Sequence, residues 1–166
     1  MSSLVSVNTY SHSVTYVTDQ MLRSLRSIIT WTGLDPKKFV DDWASYERAV
    51  KTWLESQHLQ TVVLEITNAS GTLATRWDFS VDYGYGSGDG TMWADTQALK
   101  FAITKTGVQP SECKYSITLM TKPGKAEVEG WGPGTLLSTD GFVKQNVGTT
   151  IGTHAIGTQA AYYRKA

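Results

Sequence analysis

The chain is poor in several features that would quickly assign a function. It has a single cysteine, Cys113, so no disulfide can form within it, which suits a reducing compartment. Fifteen basic and fifteen acidic residues cancel to a net charge of zero, so no global field draws it to nucleic acid or to a membrane surface. No apolar run approaches the roughly 20 residues needed to span a bilayer. The start, Met1-Ser-Ser-Leu-Val-Ser, lacks the basic and apolar regions of a secretory signal. These absences predict a soluble, cytoplasmic protein, in which Asn68-Ala69-Ser70 is a turn rather than a glycosylation site.

What remains is an ordinary globular composition, 40% hydrophobic and 11% aromatic, over 166 residues: one domain, or one domain with an appendage. Val14, Val17, Met21, Leu22, Leu25, Ile28 and Ile29 recur at helical spacing, and Gly33 is placed to cap that helix. Asp35-Pro36 reads as the start of a second helix, with a break near Ser45, that aligns Phe39, Trp43, Val50, Trp53 and Leu54. The period then becomes two. Leu59–Thr67 and the run from Leu73 to Tyr83, joined by an Asn-Ala-Ser-Gly turn, predict a hairpin with one packed and one wetter face. A third helix is expected near Ala94–Thr106, closed by Gly107, and a third strand over Lys114–Thr121. The order α-α-β-β-α-β predicts an α+β fold, three helices on one face of an antiparallel sheet.

The last third, Lys122 to Ala166, is unusual. It holds glycines 124, 130, 132, 134, 141, 148, 152 and 157, yet also Trp131, Phe142, Tyr162 and Tyr163, which are costly to leave in water. Such a segment suits extended strands that lie over a finished domain and can peel away.

Signs of reactive chemistry are few. The glycine loop from Gly84 to Gly90 fits neither a dinucleotide fingerprint, a P-loop nor a calcium loop, and reads as a strand-to-helix connection with Asp89 helping to cap the third helix. His12, His58 and His154 lie far apart, with no second ligand at metal spacing, so no metal and no cofactor is expected. Asp41-Asp42 and Glu127/Glu129 read as solvated surface. Two alternatives stay open: a small cysteine-dependent hydrolase or transferase built on Cys113 and a histidine, and a single-stranded nucleic-acid or glycan binder using exposed tryptophans. Trp43, Trp53 and Trp77 sit on buried stripes. Trp131, between Gly130 and Gly132, reads instead as an anchor for a detachable segment.

Taken together, His12-Ser-Val-Thr-Tyr-Val-Thr-Asp19, Gly33-Leu-Asp-Pro36, Lys51-Thr-Trp-Leu54, Arg76-Trp-Asp78, Gly88-Asp-Gly90 and Trp93 resemble the bacterial branch of the HORMA domains. Lys122-Pro-Gly124, Val128-Glu-Gly-Trp131, Ser138-Thr-Asp-Gly141 and Val143-Lys-Gln145 extend the likeness over essentially the whole chain. These proteins are encoded beside a cGAS-like cyclic-oligonucleotide synthase in CBASS anti-phage operons. The resemblance implies a peptide-sensing adaptor, not an enzyme, with a core over about residues 8–121 and a C-terminal safety belt over about 122–166. A closure peptide would add as a strand to the edge formed by Lys114, Tyr115, Ser116, Ile117, Thr118, Leu119, Met120 and Thr121. Gly124, Gly130, Gly132 and Gly134 would be belt hinges; Trp131, Phe142 and Tyr162 would be latches. The closed form would bind and activate the synthase. A AAA+ ATPase would reopen it by gripping Met1, Ser2, Ser3, Leu4, Val5, Ser6 and Val7. Because the sequence stops at Tyr162-Tyr-Arg-Lys-Ala166, the closure peptide is expected from another protein.

Overall fold

The structure is a computed structural model that describes residues 10–85 and 91–166. Helix α1 (Tyr10–Trp31) buries the expected stripe, with Val17, Met21, Leu25, Ile28 and Ile29 fully enclosed. It ends in a Schellman turn at left-handed Gly33 (φ 91°), where the Leu34 N–H reaches the Ile29 carbonyl at 3.0 Å. The second helix of the sequence reading is two: α2 (Lys37–Asp41) and α3 (Trp43–Glu55). The break comes at Asp42 rather than near Ser45. Asp35 caps the start of α2, its carboxylate accepting the Lys37 N–H at 2.9 Å.

Strands β1 (Leu59–Thr67) and β2 (Leu73–Asp82) form the expected hairpin. A two-residue strand, β3 (Trp93–Ala94), precedes α4 (Thr96–Thr106), which therefore starts two residues later than the pattern suggested. Its cap is Asp95, which accepts the Ala98 N–H at 3.0 Å; Asp89, the expected cap, lies outside the described residues. Strand β4 (Lys114–Thr121) comes next, and then β5 (Phe142–Gly152) and β6 (Gly157–Lys165).

The sheet runs in the order β3-β5-β6-β2-β1-β4, with every described pairing antiparallel. Alternation divides its residues between two faces. Val62, Leu64, Ile66, Trp77, Phe79, Ile117 and Leu119 join the helices in one core, whereas Val63, Glu65, Arg76, Asp78, Ser116 and Thr118 face the other way. The C-terminal strands belong to that core. Ile151, Ile156, Ala160 and Tyr162 are buried in it, and Tyr162 packs on Trp77 with ring centroids 5.0 Å apart. The last third is therefore not one uniform cover: 122–141 is an extended connection, and 142–165 is integral sheet. Two aromatic rings fasten the β5–β6 hairpin. A Cβ on Gly152 would lie 2.5 Å from the Trp93 ring, and one on Gly157 would lie 2.7 Å from the Tyr85 ring.

Candidate functional site: a belted sheet edge

Strand β4 pairs with β1 on one side and with no described strand on the other. Its free edge is nevertheless not open to solvent along its whole length, because of the path of residues 122–141. The Lys122 N–H bonds the His58 carbonyl at 2.8 Å, directing the chain back toward the helix layer. There the Trp53 indole N–H donates to the Ala126 carbonyl at 2.8 Å, the Arg48 guanidinium donates to the Glu129 carbonyl at 3.1 Å, and Val128 is buried in the core.

Trp131 completes this helix-side attachment. Its ring meets Tyr46 and Trp53 edge-on at centroid distances of 5.7 and 6.1 Å, and its indole N–H donates to the Ser45 carbonyl at 3.2 Å. Left-handed Gly130 (φ 89°) makes the preceding turn, in which the Trp131 N–H closes on the Val128 carbonyl at 3.1 Å.

Three residues later the chain is on the opposite face. The Cβ position of Gly134 is 3.9 Å from the Thr118 methyl, which projects away from the helices. The Leu137 N–H then donates to Glu65 Oε2 at 2.8 Å. Glu65 is only 3% exposed, and its cross-strand neighbour is Arg76. The Arg76 guanidinium is held by Asp78 at 2.7 and 3.0 Å and lies 5.0 Å from the Tyr163 ring centroid. The face expected to be wetter is thus dry at Glu65 and at Asp78, the latter 6% exposed. Residues 122–141 run from the helix layer, round the edge of β4, to the back of the sheet. Between belt and strand is a slot of about 580 Å³, lined by Ile117, Thr118, Leu119, Trp53, Trp131 and the Gly132-Pro133-Gly134 run, among others.

The residues singled out from sequence fall into three groups. Ile117 and Leu119 face the slot's helix side, Thr118 its back, and Thr121 its end; Tyr115 is committed elsewhere, its hydroxyl donating to the Asp35 carbonyl at 2.9 Å and accepting the Phe39 N–H at 3.2 Å. Lys114 and Tyr115 border a separate cavity of about 830 Å³ against α2, and Ser116 and Met120 are exposed. Of the belt residues, Gly130, Trp131, Gly132 and Gly134 line the slot. Gly124 is left-handed (φ 88°) at the turn after β4, whereas Gly132 and Gly134 are not left-handed. Phe142 opens β5 half-buried, and Tyr162 is a core residue. Residues 1–7 lie outside the described residues.

Glu65, Arg48, Tyr46 and Val128 were not anticipated. Only Val128 carried a hint, as the sole branched aliphatic residue in a polar stretch.

The cysteine-dependent alternative finds no assembled site among the described residues. Cys113 is buried, and both burial and the neighbouring Glu112 charge push its thiol pKa up, which disfavours the thiolate a nucleophile needs. His58 and His154 bond to Ser56 and Ser13, at 2.8 and 3.3 Å. Among the described residues no His, Cys, Asp or Glu cluster could hold a metal ion, and no helix is long and apolar enough to cross a membrane.

Helices on one face of an antiparallel sheet, with a C-terminal segment encircling an edge strand, define the architecture of a HORMA domain. The sequence matches the family model described as Bacterial HORMA domain 2 over residues 1–166, and the chain belongs to that family. Among solved structures, a chain of the mitotic checkpoint complex superposes with a TM-score of 0.74 at 14% identity, covering 95% of this chain and 97% of that one. C. elegans HTP-2 bound to the HIM-3 closure motif gives 0.72 at 12% identity, over 95% and 92%. A chain of the E. coli MS115-1 HORMA:CdnC:Trip13 complex gives 0.56 at 11% identity, over 100% and 97%. At these identities the likeness is one of fold. No protein of curated function matches the sequence.

Proposed function

We propose that this HORMA domain is a peptide-sensing adaptor of a CBASS anti-phage system. It clasps a closure peptide from another protein and, once closed, binds and activates a cGAS-like cyclic-oligonucleotide synthase; a AAA+ ATPase acting on the N-terminus reopens it. One observation carries the reading: the belt passes round β4, an edge strand whose outer side pairs with no described strand, leaving a slot between them. A free strand edge offers unpaired backbone N–H and C=O groups, which any extended peptide can satisfy, while the walls of the slot select among side chains. The C. elegans neighbour is HTP-2 bound to the HIM-3 closure motif, and the E. coli neighbour is a HORMA:CdnC:Trip13 complex. Both support the assignment of these partner classes to this chain.

To work as a switch, the peptide must favour the wrapped state over the open one. Moving a 1:99 equilibrium to 99:1 takes about 5.5 kcal/mol of differential binding. That is within reach of one added strand plus a few buried side chains. The role needs no catalytic group of this chain.

The experiment is reconstitution: the protein, display-selected peptides and the synthase from the same operon, with nucleotide product measured. Synthase activity should require both the protein and a peptide that it binds. Equal activity with the peptide omitted, or none with it present, refutes the reading.

A further inference from the structure

The helix-side wall of the slot is incompletely packed. Val62 and Leu64 on β1 are fully buried, yet Ile117 and Leu119, on the same face one strand further out, remain half-exposed. What they lack is a neighbour on the outer side. Opposite them stand Trp131, also half-buried, and Trp53, so four apolar side chains border unfilled space; Lys125, whose Nζ lies 5.7 Å from the Trp53 ring centroid, and Glu127 line it too. The back of the slot is different. There a Cβ on Gly134 would just reach van der Waals contact with the Thr118 methyl, at 3.9 Å, so belt backbone and strand side chain stand about one methyl group apart, which leaves little depth.

A strand added beside β4 obeys the period of two. Its side chains i and i+2 fall on the helix side, about 7 Å apart, and i+1 falls on the back. We propose, building on the peptide-clasp reading, that the slot selects a closure motif with two large apolar side chains at i and i+2 and a small residue between them. The apolar pair fills the space bounded by Ile117, Leu119, Trp53 and Trp131, and the small residue meets Thr118 and Gly134. From Ile117 to Thr121 the slot is about 13 Å long, the span of about five extended residues.

Trp131 then has two tasks. It fastens the belt to α3 and forms one wall of the side-chain pocket. A side chain that packs against it stabilises the belt in place, so selectivity and closure draw on the same contact, and each must strengthen the other by the same factor.

The test is a positional scan of fluorescein-labelled nine-residue peptides against the full chain, repeated with Trp131→Ala and Ile117→Ala proteins. Wild type should enrich large apolar residues at two positions separated by a Gly, Ala or Ser. Truncating either anchor to Ala should weaken binding about 30-fold, as removal of a well-packed aliphatic group does. In Trp131→Ala the same truncation should cost less than about threefold, because the partner is gone. Ile117→Ala should likewise relax one anchor position while leaving the belt attachment intact. Tight binders with no alternating apolar pair, or an anchor preference that both variants leave unchanged, overturn this specificity while leaving the clasp standing. If no peptide binds at all, the clasp falls, and the specificity with it.

Discussion

Trp131→Ala separates the belt from the rest of the domain. The ring is half-buried, makes two edge-on aromatic contacts and donates one hydrogen bond to Ser45. Removing a fully buried tryptophan costs about 3–5 kcal/mol, so a half-buried one should cost about 2 kcal/mol. The location of that loss matters more than its size. Trp131 ties residues 122–141 to α3, but the sheet core of β1, β2 and β6 does not depend on it. The loss should therefore fall on local opening of the belt rather than on global unfolding. Amide hydrogen exchange distinguishes the two. Protection at Trp131 and Leu137 should drop about 30-fold, while that of Leu64 and Phe79 stays within about twofold. A uniform fall in protection across belt and core, with a matching fall in the denaturation midpoint, would show that the belt is not a separable unit.

The same geometry sets four further outcomes. Glu65→Ala leaves the Leu137 N–H without its buried acceptor and should cost about 1–3 kcal/mol, seen as faster exchange at Leu137. Glu65→Gln, which keeps an acceptor, should retain most of that protection. Gly152→Ala places a methyl within the Trp93 ring and should lower stability by about 1–3 kcal/mol in urea unfolding, with altered Trp fluorescence. Burial pushes the Tyr10, Tyr46, Tyr83 and Tyr115 hydroxyls above their ordinary 10.0. Folding therefore favours their protonated form, and the associated stability, complete below pH 10, should decline as pH rises beyond it. Tyr83→Phe should flatten that decline, as seen by chemical denaturation at stepped pH. Finally, Cys113→Ala should leave synthase activation unchanged in the reconstituted system; loss of activation with the fold intact would revive the cysteine-dependent alternative.

Much of this fold is legible in the sequence, for identifiable reasons. Helices α1 and α3, the β1–β2 hairpin and β4 each bury one face of a regular period, so spacing reveals them. Strands β5 and β6 are hidden. The first part of β5 is largely exposed, its lysine, glutamine and asparagine face solvent, and bulges at Asn146/Gly148 and Thr149/Ile151 break its alternation. Trp131 was detectable because an aromatic among glycines is costly unless docked. Glu65 was not, since a carboxylate within an otherwise apolar strand says nothing about a backbone amide 72 residues away. The wrapped path of the belt was equally invisible, because it depends on which layer each contact occupies and not on any local pattern.

The sheet offers two free edges, and this allows a direct test of the central claim. The outer edge of β4 faces the slot; that of β5 pairs with no described strand from residues 142 to 149, since among the described residues only Ile151 and Gly152 meet β3. Amide exchange measured with and without a saturating selected peptide reports which edge accepts the new strand. The account predicts new protection across Ile117–Thr121 and along the belt from Trp131 to Leu137, with β5 unchanged. Protection that rises along β5 instead, or at neither edge while peptide is bound, contradicts it.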